Sequence, residues 1–366
     1  MGSWKIGRIA GIDIKVHFLF PLILIWVGWG AYTRDNDSWE ALQAVGFVLL
    51  LFVVVVLHEL GHALAAMRYG ISTKDITLMP IGGLARLERI PEKPSQELVV
   101  ALAGPAVNVL LAIPFAIIVW LMGEPSTTAR ILEGQWTVWE RLLYANVFLA
   151  AFNMIPAFPM DGGRVLRALL AMKMPYVNAT ELAAGIGQTV AVLLGVVGIF
   201  INPFLVLIAV FIWIGAAGES NSAKVKDAIR GVRVRDVMVT RFRALEVDDP
   251  VQRAVDALME GFQEDFPILR CGEFVGVLTR ADIVRAMAES GSATPVANYL
   301  TEVPEAVQPE TFLTDVLPKL DSCPVRLMPV VQGGSLVGLV TSENITEYLM
   351  LASAKRRPPI AGNWRG

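Results

Sequence analysis

The sequence predicts a polytopic α-helical membrane protein of about six spans, followed by a soluble α/β pair of repeats. Three observations predict it. Residues 18–218 hold nearly all the long uncharged runs of a 366-residue chain that is 54% hydrophobic and 18% charged, too apolar for an ordinary soluble protein. The basic residues gather in alternate loops between those runs. Residues 232–352 match themselves without gaps at an offset of 62.

A spanning helix needs about 20 apolar residues. In chain order the spans are residues 16–33, the helix holding 41–58, 98–122, 142–160, and 182–218, the last broken by Asn202-Pro203 into two helices. The loops test this count. Lys5, Arg8 and Lys15 precede the first span, and Arg68, Lys74, Arg86, Arg89 and Lys93 lie between the second and third. Arg164, Arg167 and Lys173 follow the fourth, and Lys224, Lys226 and Arg230 follow the last. The alternate loops hold mainly acids, Asp35, Asp37, Glu40, Glu124 and Glu133. This asymmetry places both termini and the repeat pair in the cytoplasm, with the multi-pass part surrounded by the lipid of the cell membrane. No small-residue cleavage site follows the first apolar run, so no signal peptide is expected. The net charge of -3 says little about partners, and no basic tract points to nucleic acid. The two cysteines, Cys271 and Cys323, read as buried small hydrophobes rather than a disulfide frame or a metal site.

Two segments read as strands. Residues 11–18 alternate apolar and polar at period two, and residues 75–88 have strand-like flanks about Gly82-Gly83, a hairpin signal. Both are expected on the cytoplasmic side, where an exposed strand edge could bind an extended peptide.

The apolar run 41–57 ends in His58-Glu59-Leu60-Gly61-His62. Helical residues four apart share a face, so both imidazoles can hold one zinc ion with Glu59 beside them as general base. Residues 41–58 rise through roughly 25 Å of a hydrocarbon core about 30 Å thick. The pair therefore sits slightly inside the cytoplasmic face, where an ionisable group is costly unless paired or metal-bound. Polar packing between helices, the plainer reading, leaves that cost uncovered. A hydrolytic zinc needs a third protein ligand and an open position. His17 has a strand context and reads as structural. Asp161, in Asn153-Met-Ile-Pro-Ala-Phe-Pro-Met-Asp161-Gly162-Gly163-Arg164, ends the fourth span on the same side and is the better candidate. The alternative is an aspartate that caps a helix before a Gly turn.

Together these two motifs resemble the site-2 protease family of intramembrane zinc metalloproteases. Ala103-Gly-Pro-Ala-Val-Asn108 and the Gly82-Gly83 hairpin add to the resemblance, which covers residues 5–218. It implies that His58, His62 and Asp161 hold one zinc ion and that Glu59 activates water. It also implies a transmembrane protein substrate, a membrane-anchored regulator. Asn108 and Asn153 match asparagines that help position substrate in that family; interhelical hydrogen bonding is the other reading. Zinc in such a site lowers the pKa of water toward about 7 and polarises the peptide carbonyl. Glu59 would take the proton from water and deliver it to the leaving amine. A substrate helix hides its carbonyls in its own hydrogen bonds, so it must unwind locally. Pairing with the N-terminal strand or with the hairpin at Gly82 and Gly83 would compensate. The loop at residues 123–140 is too short for the extracytoplasmic PDZ domain of many relatives.

In the soluble half Phe266-Pro267-Ile268 aligns with Met328-Pro329-Val330, and Gly276-Val-Leu-Thr279-Arg-Ala-Asp282 with Gly338-Leu-Val-Thr341-Ser-Glu-Asn344. Each unit reads strand, helix, strand, strand, helix. The repeat resembles a tandem pair of CBS domains, at residues 232–290 and 291–352. A polar linker at 219–231 precedes it and a disordered tail at 353–366 follows. The resemblance implies an adenine nucleotide (ATP, ADP or AMP) in the clefts between the units. Thr279 and Thr341 would offer hydroxyls to phosphate and Asp282 a carboxylate to ribose, while Asn344 in place of Asp weakens a second ribose site. Homodimerisation through the pair, or scaffolding, is the other reading. The short linker would hang the pair below the metal site, where a nucleotide-driven shift could cover it. The expected whole is an intramembrane zinc endopeptidase regulated by nucleotide. The alternative is a membrane ion or metal transporter with a CBS regulatory module, a class that needs neither Glu59 beside a histidine nor the Pro159-Met-Asp-Gly162 segment. An inactive scaffold would not need the intact ligand set.

Overall fold

A computed structural model describes residues 2–79, 82–87, 91, 93–122, 136–261, 263–301, 305–323, 325 and 327–356. The chain divides into two units, Met1–Ala223 and Lys224–Gly366.

The first unit runs β1 (Ser3–Ile9), β2 (Ile12–His17), α1 (Phe20–Asp35), α2 (Ser38–Met67), β3 (Thr73–Met79), β4 (Gly82–Leu87), α3 (Pro94–Leu121), α4 (Val138–Asn153), α5 (Asp161–Ala171), α6 (Tyr176–Ile201) and α7 (Pro203–Ala228). Among the described residues four helices, α2, α3, α6 and α7, are long and apolar enough to cross a membrane. Large apolar side chains such as Trp26, Trp120 and Phe200 lie exposed on this unit, an exterior that water would not tolerate. Helices α1 and α4 have 16 residues each, below the usual length of a span. The fourth span, expected over 142–160, stops at Asn153. Pro156 and Pro159 lack the N–H a helix interior requires, and the chain turns there before α5 begins. Asp161 is thus the first residue of a new helix rather than the last of a span, and Gly162 and Gly163 are helical rather than a turn. The expected linker at 219–231 is helical as far as Ala228.

The four strands form one sheet in the order β1-β2-β3-β4. Only the β2–β3 pair is parallel. Ile12, Ile14 and Val16 alternate along β2 and, with Ile76 and Leu78 of β3, pack on Val55, Val56, Leu60 and Ala63 of α2. The sheet therefore lies along the part of α2 that carries the histidines. Asp75 ties its strands together: Lys15 Nζ donates to Oδ2 at 2.8 Å and Arg86 Nε to Oδ1 at 2.7 Å. The Arg86 guanidinium, aided by Lys15, holds the Asp75 carboxyl down to about 2 against the opposing effect of burial. Met79 pairs with Gly82, so the two glycines open β4 rather than forming the expected turn. Residues 80–81, Arg89 and most of the expected 123–140 loop, with Glu124 and Glu133, lie outside the described residues.

The second unit contains β5 (Leu245–Glu246), α8 (Val251–Glu260), β6 (Phe266–Arg270), β7 (Glu273–Leu278), α9 (Arg280–Glu289), α10 (Leu313–Ser322), β8 (Leu327–Gln332), β9 (Ser335–Thr341) and α11 (Ser342–Arg356). The first repeat has the expected order. In the second, the leading strand is reduced to a bridge between Val307 and Val330. The boundary expected at residues 290 and 291 is not where the packing divides. Ile229, Val232, Val234 and Val237 complete the core of the second repeat, with Leu313, Val330 and Ile345. Val296, Ala297 and Tyr299 complete that of the first, with Val251, Phe266 and Ile283. The backbone repeats the exchange at the sequence offset: Val234 N–H donates to Thr311 O, and Val296 N–H to Asp249 O. Each repeat thus lends its leading segment to the other. Helix α11 extends to Arg356, into the expected tail, and residues 357–366 lie outside the described residues. Cys323 is buried as expected, but Cys271 is exposed beside Gly272, between β6 and β7.

Candidate active site

Helix α2 turns His58 and His62 to one side, and both are buried, at 6% and 4% exposure. Asp161, at the start of α5, meets them. The His58 Nε2, His62 Nε2 and Asp161 Oδ2 atoms form a triangle with all three edges 3.1 Å. Helix α3 orients the rings. The Val100 carbonyl accepts from His62 Nδ1 at 2.7 Å, and Asn108 Oδ1 takes the matching place on His58 Nδ1 at 2.7 Å. With the proton on each Nδ1, both Nε2 lone pairs face the triangle. Gly104 sits midway along the same stripe of α3. A Cβ there would lie 2.2 Å from His62 Nε2 and 2.7 Å from His58 Nε2, so only glycine allows this approach.

The residues fit zinc. Three ligands bound at about 2.0 Å in tetrahedral array stand about 3.3 Å apart, close to the observed edges. Two imidazole lone pairs and a carboxylate converging on one point also call for a cation. Two histidines and one carboxylate leave the fourth position that a hydrolytic site requires.

Glu59 follows His58 on α2 without joining the triangle. The Ala85 N–H of β4 donates to Glu59 Oε2 at 3.3 Å. A Cβ on Gly83 would come within 2.7 Å of Glu59 Cγ, so the strand passes directly over the carboxylate. Strand β4 is a sheet edge. Asn153 is half-buried at the end of α4. His17 stands outside the triangle, its Nδ1 accepting from Leu19 N–H at 3.3 Å.

Sequence reasoning missed Val100 and Gly104. The available signal was the spacing of four that joins both to Asn108. Asn108→Ala is expected to weaken zinc binding about 10- to 100-fold, because His58 loses the group that fixes its tautomer. Titration of the purified protein against a competing chelator measures this, and an unchanged constant would dismiss the role.

In the soluble half the predicted motif residues come together as helix caps. Asp282 N–H donates to Thr279 Oγ1 at 3.1 Å, and Thr279 N–H donates back to Asp282 Oδ2 at 3.1 Å, a reciprocal capping box. Asp282 also accepts from Thr301 Oγ1 at 3.1 Å and from Arg285 at 2.7 Å. Thr341 and Asn344 repeat the cap, Asn344 N–H donating to Thr341 Oγ1 at 3.2 Å.

Residues 46–135 and 121–196 match the profile of Peptidase family M50, and residues 234–289 and 296–351 each match the CBS domain. The chain is 31% identical over 354 residues to a zinc metalloprotease of Methanocaldococcus jannaschii, covering 96% of this chain and 98% of that one. The chain belongs to peptidase family M50. It is a membrane zinc metalloprotease of the site-2 protease group with a CBS-domain pair, which decides against the transporter alternative. This M50 protease is also 29% identical over 191 residues to stage IV sporulation protein FB of Bacillus subtilis, covering 52% of this chain and 59% of that protein. Among solved structures, the site-2 protease from Methanocaldococcus jannaschii is 36% identical with a TM-score of 0.45, covering 60% of this chain and 95% of that one.

Proposed function

We propose that this M50 protease cleaves peptide bonds inside the transmembrane segments of membrane-anchored regulatory proteins. The observation that carries the reading is the His58–His62–Asp161 triangle beside Glu59, on a helix whose apolar run precedes the first histidine. Six spans are proposed, with α1 and α4 as the two short ones. Both termini and the CBS pair then lie in the cytoplasm, following the loop charges.

His58, His62 and Asp161 would hold the zinc, which when bound supplies acidity to water and polarises the scissile carbonyl. Glu59 would accept the proton from water and later release it to the departing amine. Asn153, Gly82 and Gly83 would line the path of the substrate. A transmembrane helix must give up its internal hydrogen bonds to expose a carbonyl, and an added strand on the edge of β4 would replace them. The Ala85 N–H, which donates to Glu59 Oε2, would turn to such a strand as Glu59 leaves it to take the proton from water. Ala85→Pro removes it and is expected to slow cleavage at least roughly fivefold, the worth of about one hydrogen bond. An unchanged rate would count against strand pairing.

We further propose an adenine nucleotide at the CBS pair, near Thr279, Asp282, Thr341 and Asn344. Asp282 Oδ2 already serves Thr279 and Thr301, so a ribose hydroxyl would share Oδ1 with Arg285. Burial pushes the Asp265 carboxyl up, against the pull of the Arg280 N–H, and Glu264, Glu343 and Asp282 nearby add to the rise.

The test is incubation of the purified protein in detergent with a panel of tagged single-span proteins. Chelator-sensitive cleavage of at least one supports the reading. AMP, or ATP with magnesium, in the same assay should change the rate; no change, with no binding by calorimetry, removes the nucleotide proposal.

A further inference from the structure

Arg167 is 1% exposed and takes no part in the chemistry above. Its Nε donates to Glu97 Oε1 at 2.8 Å and its Nη1 to Glu219 Oε2 at 2.8 Å. Its guanidinium also lies over two rings, 4.9 Å from the centroid of Phe158 and 5.1 Å from that of Tyr176. A buried charge network is costly and is weak evidence for stability, so its retention calls for another account.

The partners of Arg167 supply one. Phe158 lies in the turn three residues before Asp161, and Tyr176 opens the helix after α5. Arg167 therefore grips the chain on both sides of the helix that starts with the third zinc ligand. Glu97 is one turn before Val100 on α3, the helix whose Val100 carbonyl and Asn108 amide orient the two histidines. The Arg167–Glu97 pair thus fixes the α3 stripe that aims His58 and His62 against the element that carries Asp161. Glu219 belongs to α7, which continues to Ala228 and is followed at once by Ile229, in the core of the second CBS repeat.

We propose that Arg167 is a positioning residue for the zinc ligand Asp161, and that α7 bears on that position through Glu219. The triangle then depends on two registers: α3 against α5 through Glu97, and α7 against α5 through Glu219. A displacement of α7 that draws on Glu219 would loosen Asp161 without touching either histidine. The inference rests on zinc at the triangle and on no choice of substrate or nucleotide.

The test uses the full-length protein in detergent and reads zinc affinity by chelator competition, with thermal unfolding and the kcat and KM of cleavage alongside. The double variant Arg167→Met with Glu97→Gln removes the fully buried pair together, and Glu219, the half-buried third member, loses its partner but keeps access to water. It is expected to melt like the wild type and to bind zinc at least about tenfold more weakly, the size of effect seen for groups that orient metal ligands. Glu219→Gln, on a half-buried residue, is expected to weaken zinc binding about threefold or more and to lower kcat with KM unchanged, as a loss of site assembly does. Zinc affinity within twofold of wild type in a folded double variant overturns the positioning role. The same result for Glu219→Gln alone overturns the α7 arm and leaves Arg167 as a link between α3 and α5. Should the double variant fail to fold, Arg167→Lys takes its place. It keeps the charge but loses the planar fork and the ring contacts, and wild-type zinc affinity there overturns the proposal.

Discussion

Glu59→Gln is expected to abolish cleavage and to leave the zinc in place. The amide has the shape of the carboxylate and keeps an oxygen for the Ala85 N–H, so the strand above it need not move. It cannot take a proton from water or return one to the leaving amine. Loss of a positioned acid-base group lowers turnover on the order of a hundred- to ten-thousand-fold. The zinc should stay because the triangle is complete without Glu59. Metal analysis and product formation, measured on one preparation, check both halves. Zinc without product is the expected result. Loss of zinc would make Glu59 a ligand, and residual cleavage within tenfold of wild type would require another base.

The second large effect is expected from a single methyl group. Gly104→Ala places a carbon 2.2 Å from His62 Nε2 and 2.7 Å from His58 Nε2, closer than any non-bonded contact allows. The rings cannot swing aside cheaply, since each is tied by Nδ1 to the helix that carries Gly104. Either the rings leave their tautomer-fixing partners or α3 withdraws from α2, and both open the triangle. Zinc affinity should fall by more than about 100-fold, the upper end of what loss of an orienting partner costs. Gly46→Ala is the control. It lies on the same apolar helix as the histidines, nothing stands within 4 Å of its added carbon, and zinc binding should not change. Full zinc occupancy in Gly104→Ala would contradict the close approach of α2 and α3.

Much of this site was legible because its chemistry is carried by side chains in short contiguous strings. His58, Glu59 and His62 share one turn and its successor, and Asp161 lies in a segment that resembles a known family. What escaped notice works through other means. Val100 acts by its carbonyl and Gly104 by atoms it lacks, and neither leaves a mark in residue chemistry. Arg167 reads in the sequence as one more positive loop charge that fixes topology. Its partners Glu97 and Glu219 lie 70 and 52 residues away, and only packing brings the three together. The fourth span is shorter than its apolar run: residues 154–160 are apolar, but with Pro156 and Pro159 among them the helix stops at Asn153. The repeat in the soluble half was plain from its offset. The exchange of leading segments was not, since a self-match is the same whichever copy each segment packs against. Thr279 and Asp282 have the spacing of a capping box, and the structure uses them as one.

The most direct test of intramembrane proteolysis is the position of the cut. A single-span substrate cleaved by the wild-type protein can be mapped by mass spectrometry of both products. The scissile bond is expected inside the apolar segment, toward its cytoplasmic end, at the depth where α2 holds His58 and His62. No such product should form with Glu59→Gln. A cut confined to the soluble flanks of the substrate, or the same cut made by Glu59→Gln, would contradict it.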